Sequence, residues 1–203
     1  VNEIPPPLSL PTRDQLILID EIKSVATSDH KRPLVVLADR GRGKSSALGL
    51  AAASIVKQLH LKVLITAPSQ RACASAFKHF HSQFAETDVN NLMQFEFIPP
   101  DDLIEQTPEC HLLFVDEAAA IPSPALKVML LKYPRIVFSS TTHGYEGTGN
   151  GFAVRFRKEL ETKAPNWRPI ILKQPIRWAT NDPLEAFTFK FLLLDAELPE
   201  LGR

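Results

Sequence analysis

Cysteine is scarce in this chain of 203 residues: Cys73 and Cys110 are the only two. Two cysteines cannot build a disulfide framework, and they form neither a C-x-x-C pair nor a Cys/His metal spacing. The six histidines likewise show no metal or triad spacing and read as structural. These absences fit a reduced, cytoplasmic setting. No run approaches the roughly 18 consecutive apolar residues of a membrane helix, and no secretory leader is visible, so no membrane partner is expected. Charge of either sign is not in excess, with 23 basic and 23 acidic residues. A nucleic-acid partner would therefore have to use local basic clusters rather than bulk charge. The chain opens on Val1 and closes on an unusually apolar segment, and the expectation is a piece of a longer polypeptide.

Glycine is scarce too, but its placement is informative. Of eight glycines, Gly41 and Gly43 share one loop, and Gly144, Gly147, Gly149 and Gly151 share another. Both loops follow apolar runs that read as strands. In an open α/β sheet, ligands bind in the loops beyond the carboxyl ends of the strands.

Proline is abundant, and Pro5, Pro6, Pro7 and Pro11 mark residues 1–11 as an extended linker. Thr12 then reads as a helix N-cap, with Gln15 completing a capping box. Leu18, Ile19, Ile22, Val25 and Ala26 follow on one helical face. Residues 33–38, 62–67, 112–116 and 136–140 read as buried strands, too short and too β-branched for helices. Residues 95–98 and 170–172 are further strand candidates. Leu48, Ala51, Ala52, Ile55, Val56 and Leu59 define an amphipathic helix after the first strand. Ser69 is a candidate cap for a helix over residues 70–84, and Pro122 and Pro124 bracket the start of another carrying Leu126, Met129 and Leu130. Alternating strands and helices predict an α/β fold of three layers with a mostly parallel central sheet.

The motifs add chemistry to that frame. Leu34-Val-Val-Leu-Ala-Asp-Arg-Gly-Arg-Gly-Lys44-Ser45-Ser46 is an apolar strand, a glycine turn and a helix start, ending in the G-K-S of a phosphate-binding P-loop. Backbone N–H groups of such a turn cradle phosphate oxygens. Lys44 would reach the β- and γ-phosphates, and Ser45 would offer a hydroxyl to Mg²⁺. Ala38 replaces the first glycine of the usual pattern, which is tolerable if that position needs no positive φ. Leu112-Leu-Phe-Val-Asp116-Glu117 has the form of a Walker B strand. There Asp116 would hold Mg²⁺ through water, and Glu117 would act as general base toward the attacking water.

Three further loops sit after successive strands. Asp116-Glu-Ala-Ala-Ala-Ile-Pro122 resembles the D-E-A-x box of helicase-type ATPases. Thr66-Ala-Pro-Ser69 resembles their nucleic-acid backbone loop, and Ser139-Ser-Thr-Thr142 lies where they sense the γ-phosphate. Gln15 either caps its helix, contacts the adenine edge, or does both, since an amide offers donor and acceptor together. Arg177 in Pro175-Ile-Arg-Trp-Ala179 either stabilises charge at the γ-phosphate or pairs with Asp182 or Glu185. The second glycine loop, 142–151, offers Tyr145 for stacking on RNA, with Arg155, Arg157 and Lys158 following on a helix. Otherwise it is a mobile surface loop with a solvated basic face.

Four segments in order, Arg40-Gly-Arg-Gly-Lys-Ser45, Val115-Asp-Glu-Ala-Ala-Ala-Ile-Pro122, Gly144-Tyr-Glu-Gly-Thr-Gly149 and Pro175-Ile-Arg-Trp-Ala179 with Asp182-Pro-Leu-Glu185, resemble the helicase-like ATPase module of the bacterial-type tRNA(Met) cytidine acetyltransferases. The resemblance covers residues 12–203 and implies a RecA-like P-loop domain. It further implies an enzyme that makes N4-acetylcytidine at the wobble position of elongator methionine tRNA, using acetyl-CoA and ATP. By the same resemblance the nucleotide contacts fall on Gln15, on Asp39, Arg40, Gly41, Arg42, Gly43, Lys44, Ser45, Ser46, Ala47 and Leu48, and on Arg177. Catalysis would rest on Lys44, Asp116, Glu117 and Arg177, with Ser45 and Asp116 at Mg²⁺. Asp39 and Asn150 depart from what the pattern leads one to expect.

The acetyltransferase module is not expected within this chain, because no second glycine turn suited to acetyl-CoA is present. The helix expected from Pro183, striped with Leu184, Phe187, Phe191, Leu194 and Leu198, would dock that module in the intact polypeptide. One motor half of a helicase or translocase, and a nucleotide-binding scaffold without turnover, are the alternatives.

Overall fold

The computed structural model describes residues 10–29, 31–142 and 148–176, and for 148–155 the backbone alone. Most of the linker over 1–11, Tyr145, Arg177 with Asp182 and Glu185, and the apolar helix expected from Pro183 fall outside the described residues.

Helix α1 (Arg13–Thr27) begins at Thr12, whose hydroxyl accepts from Gln15 N while the Gln15 side chain accepts from Thr12 N, so the expected capping box is present. Its stripe from Leu18 to Ala26 is buried. Strand β1 (Leu34–Ala38) leads through the glycine turn into α2 (Lys44–Leu59). Strand β2 (Val63–Thr66) is followed by a 3₁₀ turn (Gln70–Cys73) and α3 (Ala74–His81). The helix expected over 70–84 is thus split, and the Ser69 side chain makes no cap bond. Then come α4 (Val89–Leu92), β3 (Phe95–Phe97), α5 (Pro100–Gln106) and β4 (Leu112–Val115). A 3₁₀ turn (Ala118–Ala120), α6 (Ser123–Lys132), β5 (Ile136–Thr141), α7 (Thr148–Lys163) and β6 (Arg168–Leu172) complete the order. Helix α7 starts inside the second glycine loop, so Gly149, Asn150 and Gly151 belong to its first turn rather than to a loop.

The six strands form one sheet in the order β3-β2-β4-β5-β1-β6, and every described pairing is parallel. Alternate residues of each strand point to opposite faces. Leu34, Val36 and Ala38 of β1, with Leu112 and Phe114 of β4, pack beneath α1, α2 and α3. Val35, Leu113, Val115 and Phe138 pack against the side carrying α6 and α7. Burial on both faces is why these strands are uninterrupted apolar runs rather than alternating ones.

Helix α2 lies in the middle of the first layer, and its composition follows from that place. Ala47, Ala51, Ala52 and Ala53 are all buried, and Gly49 meets α3 so closely that an added Cβ would collide with the Ala76 carbonyl oxygen. Helix α1 is fixed at the sheet edge: Asp14 Oδ2 accepts from Lys173 N (2.9 Å) and Gln174 N (3.0 Å), and Glu21 pairs with Arg168 at 3.5 Å. That clamp carries the segment after β6 back over the end of β1.

Two substitutions, one in α2 and one at its C-cap, are expected to move stability in opposite directions. Glycine to alanine within a helix ordinarily gains about 1 kcal/mol. At Gly49 the collision with backbone reverses the sign, for a net loss of about 1–3 kcal/mol. The exposed C-cap residue His60 holds φ 55°, so His60→Gly gains about 1 kcal/mol. Urea unfolding of both variants checks the pair.

Candidate nucleotide site

The site is built where β1, β4 and β5 end. The turn after β1 holds two residues of positive φ, Gly41 (78°) and Gly43 (77°), and Gly43 is the N-cap of α2. Ala38 stays in the strand, paired with Thr141 and Leu172. The missing first glycine is therefore harmless, because the left-handed turn is made by Gly41 and Gly43. Gly43 is doubly constrained: an added Cβ would collide with Gln15 Nε2 and stand 2.9 Å from Ile176 Cδ1. Ile176 N donates to Gly41 O at 3.0 Å, so the segment after β6 closes over the turn.

Arg40, Gly41, Gly43, Lys44, Ser45 and Ser46 line one side of a cavity of about 300 Å³, faced by Ser75, Glu117 and Ile176. Lys44 Nζ donates to Thr141 Oγ1 at 3.0 Å, and Thr141 Oγ1 donates to Glu117 Oε2 at 3.3 Å. An ammonium, a hydroxyl and a carboxylate thus form one chain across three neighbouring strands. Beside it, Ser45 Oγ donates to Asp116 Oδ2 at 2.7 Å, and Asp116 Oδ1 accepts from Glu117 N at 3.0 Å. Lys44 is 7% exposed and Asp116 fully buried. Desolvation strengthens these charge-assisted bonds relative to surface ones.

Glu117 holds φ 48°, ψ 44°, a left-handed conformation that a residue with a Cβ adopts only under constraint. The 3₁₀ turn that follows and the bond from its own N–H to Asp116 supply that constraint. Cys73 lies on the same side. Burial first, and the Asp116 charge second, push its thiol up to about 12, so it is a neutral apolar wall rather than a reactive group.

The donor set suits Mg²⁺: a hydroxyl and a carboxylate 2.7 Å apart are hard oxygens, and one or two such ligands with water are how that ion is usually held. Ser139 Oγ, on the same face of β5 as Thr141, is buried without a partner among the described residues.

Other residues expected at the site take different places. Gln15 is 4% exposed and does not line the cavity. Its Oε1 accepts from Thr12 N, and its Nε2 donates to Gly43 O at 3.0 Å. The amide therefore ties α1 to the glycine turn, and one N–H and one oxygen lone pair remain for a further partner. Asp39 accepts from the Thr142 hydroxyl at 2.5 Å, which joins the ends of β1 and β5 and gives the unexpected carboxylate a structural reason. Ala47 and Leu48 are wholly buried in α2, one turn from the cavity. Ser75 is a cavity residue that no motif announced, and Ile176, within the motif quoted for Arg177, enters the lining from beyond β6.

Residues 35–195 match the family model described as RNA cytidine acetyltransferase NAT10/TcmA, helicase domain. A tRNA(Met) cytidine acetyltransferase TmcA of Vibrio cholerae is 45% identical over 93% of this chain, and that of Nitrosococcus halophilus 44% identical over 91%. The chain spans 28% and 26% of those two relatives. Among solved structures, the Pif1 helicase of Candida albicans superposes with TM-score 0.59 and 14% identity, covering 95% of this chain and 46% of that one. The SWI2/SNF2 ATPase core of Sulfolobus solfataricus gives TM-score 0.50 and 15% identity, covering 82% and 45%. At these identities the likeness is one of fold, and the fold is that of P-loop ATPases.

Glu117→Gly and Glu117→Ala both remove the carboxylate, but only glycine relieves the backbone. The glycine variant is expected to be more stable than the alanine variant by about 1 kcal/mol. Equal thermal midpoints for the two would show that the turn carries no strain.

Proposed function

The chain belongs to the RNA cytidine acetyltransferase NAT10/TcmA helicase-domain family, and from that premise we propose that it is the ATP-binding and ATP-hydrolysing module of a tRNA(Met) cytidine acetyltransferase. The observation that carries this reading is the paired arrangement of Lys44–Thr141–Glu117 and Ser45–Asp116 around one cavity. It sets a cation for phosphate, a metal-binding oxygen pair and a candidate base within one turn of each other. In the whole enzyme, acetyl-CoA supplies the acetyl group, and cytidine N4 at the wobble position of elongator methionine tRNA receives it. The acetyltransferase module of the same polypeptide would be its partner in a cytoplasmic setting. Residues 12–203 form the ATPase domain and 1–11 its linker.

Each residue has a defined task in this reading. The backbone N–H groups of the turn from Arg40 to Ser46 receive the phosphates, and Lys44 exchanges Thr141 for phosphate oxygens. Ser45, and Asp116 through water, would hold Mg²⁺, and the ion would supply positive charge against the phosphates when bound. Glu117 accepts a proton from the attacking water, worth roughly 10²–10⁴ in rate. Thr141, between Lys44 and Glu117, links occupation of the phosphate position to the orientation of the base. Gln15 keeps Gly43 in register and offers its remaining N–H and oxygen lone pair to the adenine edge. Arg177 directly follows Ile176, whose N–H is bonded to the glycine turn, and this proximity supports a guanidinium at the γ-phosphate, an effect worth roughly 10³–10⁵ where it operates. Hydrolysis then reshapes the surface that receives tRNA.

ATP turnover, with binding of a fluorescent ATP analogue measured in parallel, tests the assignment. Lys44→Ala is expected to lose binding. Glu117→Gln is expected to bind normally and turn over roughly 10²-fold or more slowly, and Arg177→Ala to lose roughly 10³-fold. A wild-type chain that binds the analogue but shows no turnover, with or without tRNA, leaves a scaffold rather than an engine. A full-length polypeptide that unwinds duplexes would replace the reading by a helicase.

A further inference from the structure

A second concavity lies apart from the nucleotide cavity. It is a shallow, open groove of about 680 Å³ on the outer face of α3, lined by Gln70, Arg71, Ala74, Phe77, Lys78 and His81. Ala74, Phe77, Lys78 and His81 stand at i, i+3, i+4 and i+7, so they form one stripe of the helix. The floor is aromatic: the half-buried Phe77 ring lies 4.7 Å from Phe95 and 6.0 Å, edge-on, from His81. Arg71 and Lys78 put cations on the rims, and His81 is exposed beside them.

The charge here differs from that of the whole chain. No Asp or Glu occurs between Val63 and Ala85, although the chain as a whole has net charge zero. Arg71 and Lys78 make no ion pair among the described residues. Two solvated cations flanking an aromatic floor match the chemistry of a single nucleic-acid strand, in which phosphates alternate with flat bases. An acidic protein segment would satisfy the cations but leave the ring stripe unused.

We propose that this groove binds a short run of single-stranded RNA, with phosphates on Arg71 and Lys78 and a base against Phe77 and His81. The choice of RNA over DNA rests on the functional reading above, while the groove itself is independent of the nucleotide cavity. The two sites are nevertheless two sides of one short helix. Ser75 of α3 lines the nucleotide cavity, and its hydroxyl meets that of Ser46 at 3.2 Å.

Fluorescence anisotropy of labelled oligouridine of about ten nucleotides tests the groove, with a labelled oligoglutamate peptide as comparison. Wild type is expected to bind the RNA and to bind the peptide at least about tenfold more weakly. The double variant Arg71→Gln, Lys78→Gln is expected to lose about tenfold or more in RNA affinity, and the slope of log K against log salt to fall by about 1.4. Both positions are exposed, so the unfolding midpoint and affinity for the ATP analogue stay unchanged. RNA affinity unaltered in the double variant, no RNA binding by wild type, or equal affinity for oligoglutamate overturns the proposal. RNA binding that depends on Arg71 and Lys78 in a chain that binds no ATP analogue would sustain the groove and refute the nucleotide reading.

Discussion

The site depends on a single constraint of topology: β5 is inserted between β1 and β4. Because the strands are parallel and in register, Ala38 of β1 faces Thr141 of β5, and Val115 of β4 faces Phe138. The glycine turn, the Thr141 hydroxyl and the Asp116-Glu117 pair therefore emerge side by side at one edge of the sheet. Lys44 reaches Glu117 only through the strand between them. Were β1 and β4 adjacent, about 4.8 Å apart, the ammonium and carboxylate could meet directly and collapse onto each other. The intervening hydroxyl keeps them separate but connected.

Left-handed backbone recurs at the same edge. Gly41, Gly43 and Glu117 have positive φ, and all three line the cavity. His60 and Thr107, the other residues of positive φ without a glycine among those described, do a different job as C-caps of α2 and α5. At Gly43 both conformation and space demand glycine, since Gln15 from α1 and Ile176 from beyond β6 press on the same point. Three elements far apart in sequence thus define one turn. Its shape is set before any phosphate arrives, which reduces the ordering needed on binding.

Much of this could be read from the sequence because it is locally encoded. The strands announce themselves as apolar runs buried on both faces, and the α1 capping box is complete within four residues, Thr12 to Gln15. The G-K-S and D-E pairs name the chemistry. What could not be read depends on long-range placement. Strand order is one such feature, and with it the role of Thr141 as the link between Lys44 and Glu117. Asp39 looked anomalous because its partner, Thr142, follows a strand that only the fold brings alongside. Gln15 is anchored to Gly43 for the same reason. Ser69 failed as a cap because the chain tightens into a 3₁₀ turn. That tightening keeps α3 short and brings Ala76 against Gly49.

The close approach of α2 and α3 determines what nucleotide binding can do to the rest of the domain. Helix α2 is enclosed by α1, α3 and the sheet, and its small residues leave no slack between backbones. Interiors packed to this density shift as blocks or not at all. A phosphate that draws Lys44 and Ser45 toward itself therefore loads the whole of α2, and the load passes to α3 through the Gly49–Ala76 contact and the Ser46–Ser75 pair. Helix α1 receives it through Gln15. The helices that feel the nucleotide first are thus those on one face of the sheet, and β6, clamped to α1 by Asp14 and Glu21, belongs to the same block. Any affinity that changes with nucleotide state must, by linkage, change nucleotide affinity in return. A surface on α3 is better placed for that exchange than one on α6 or α7, which pack on the opposite face of the sheet.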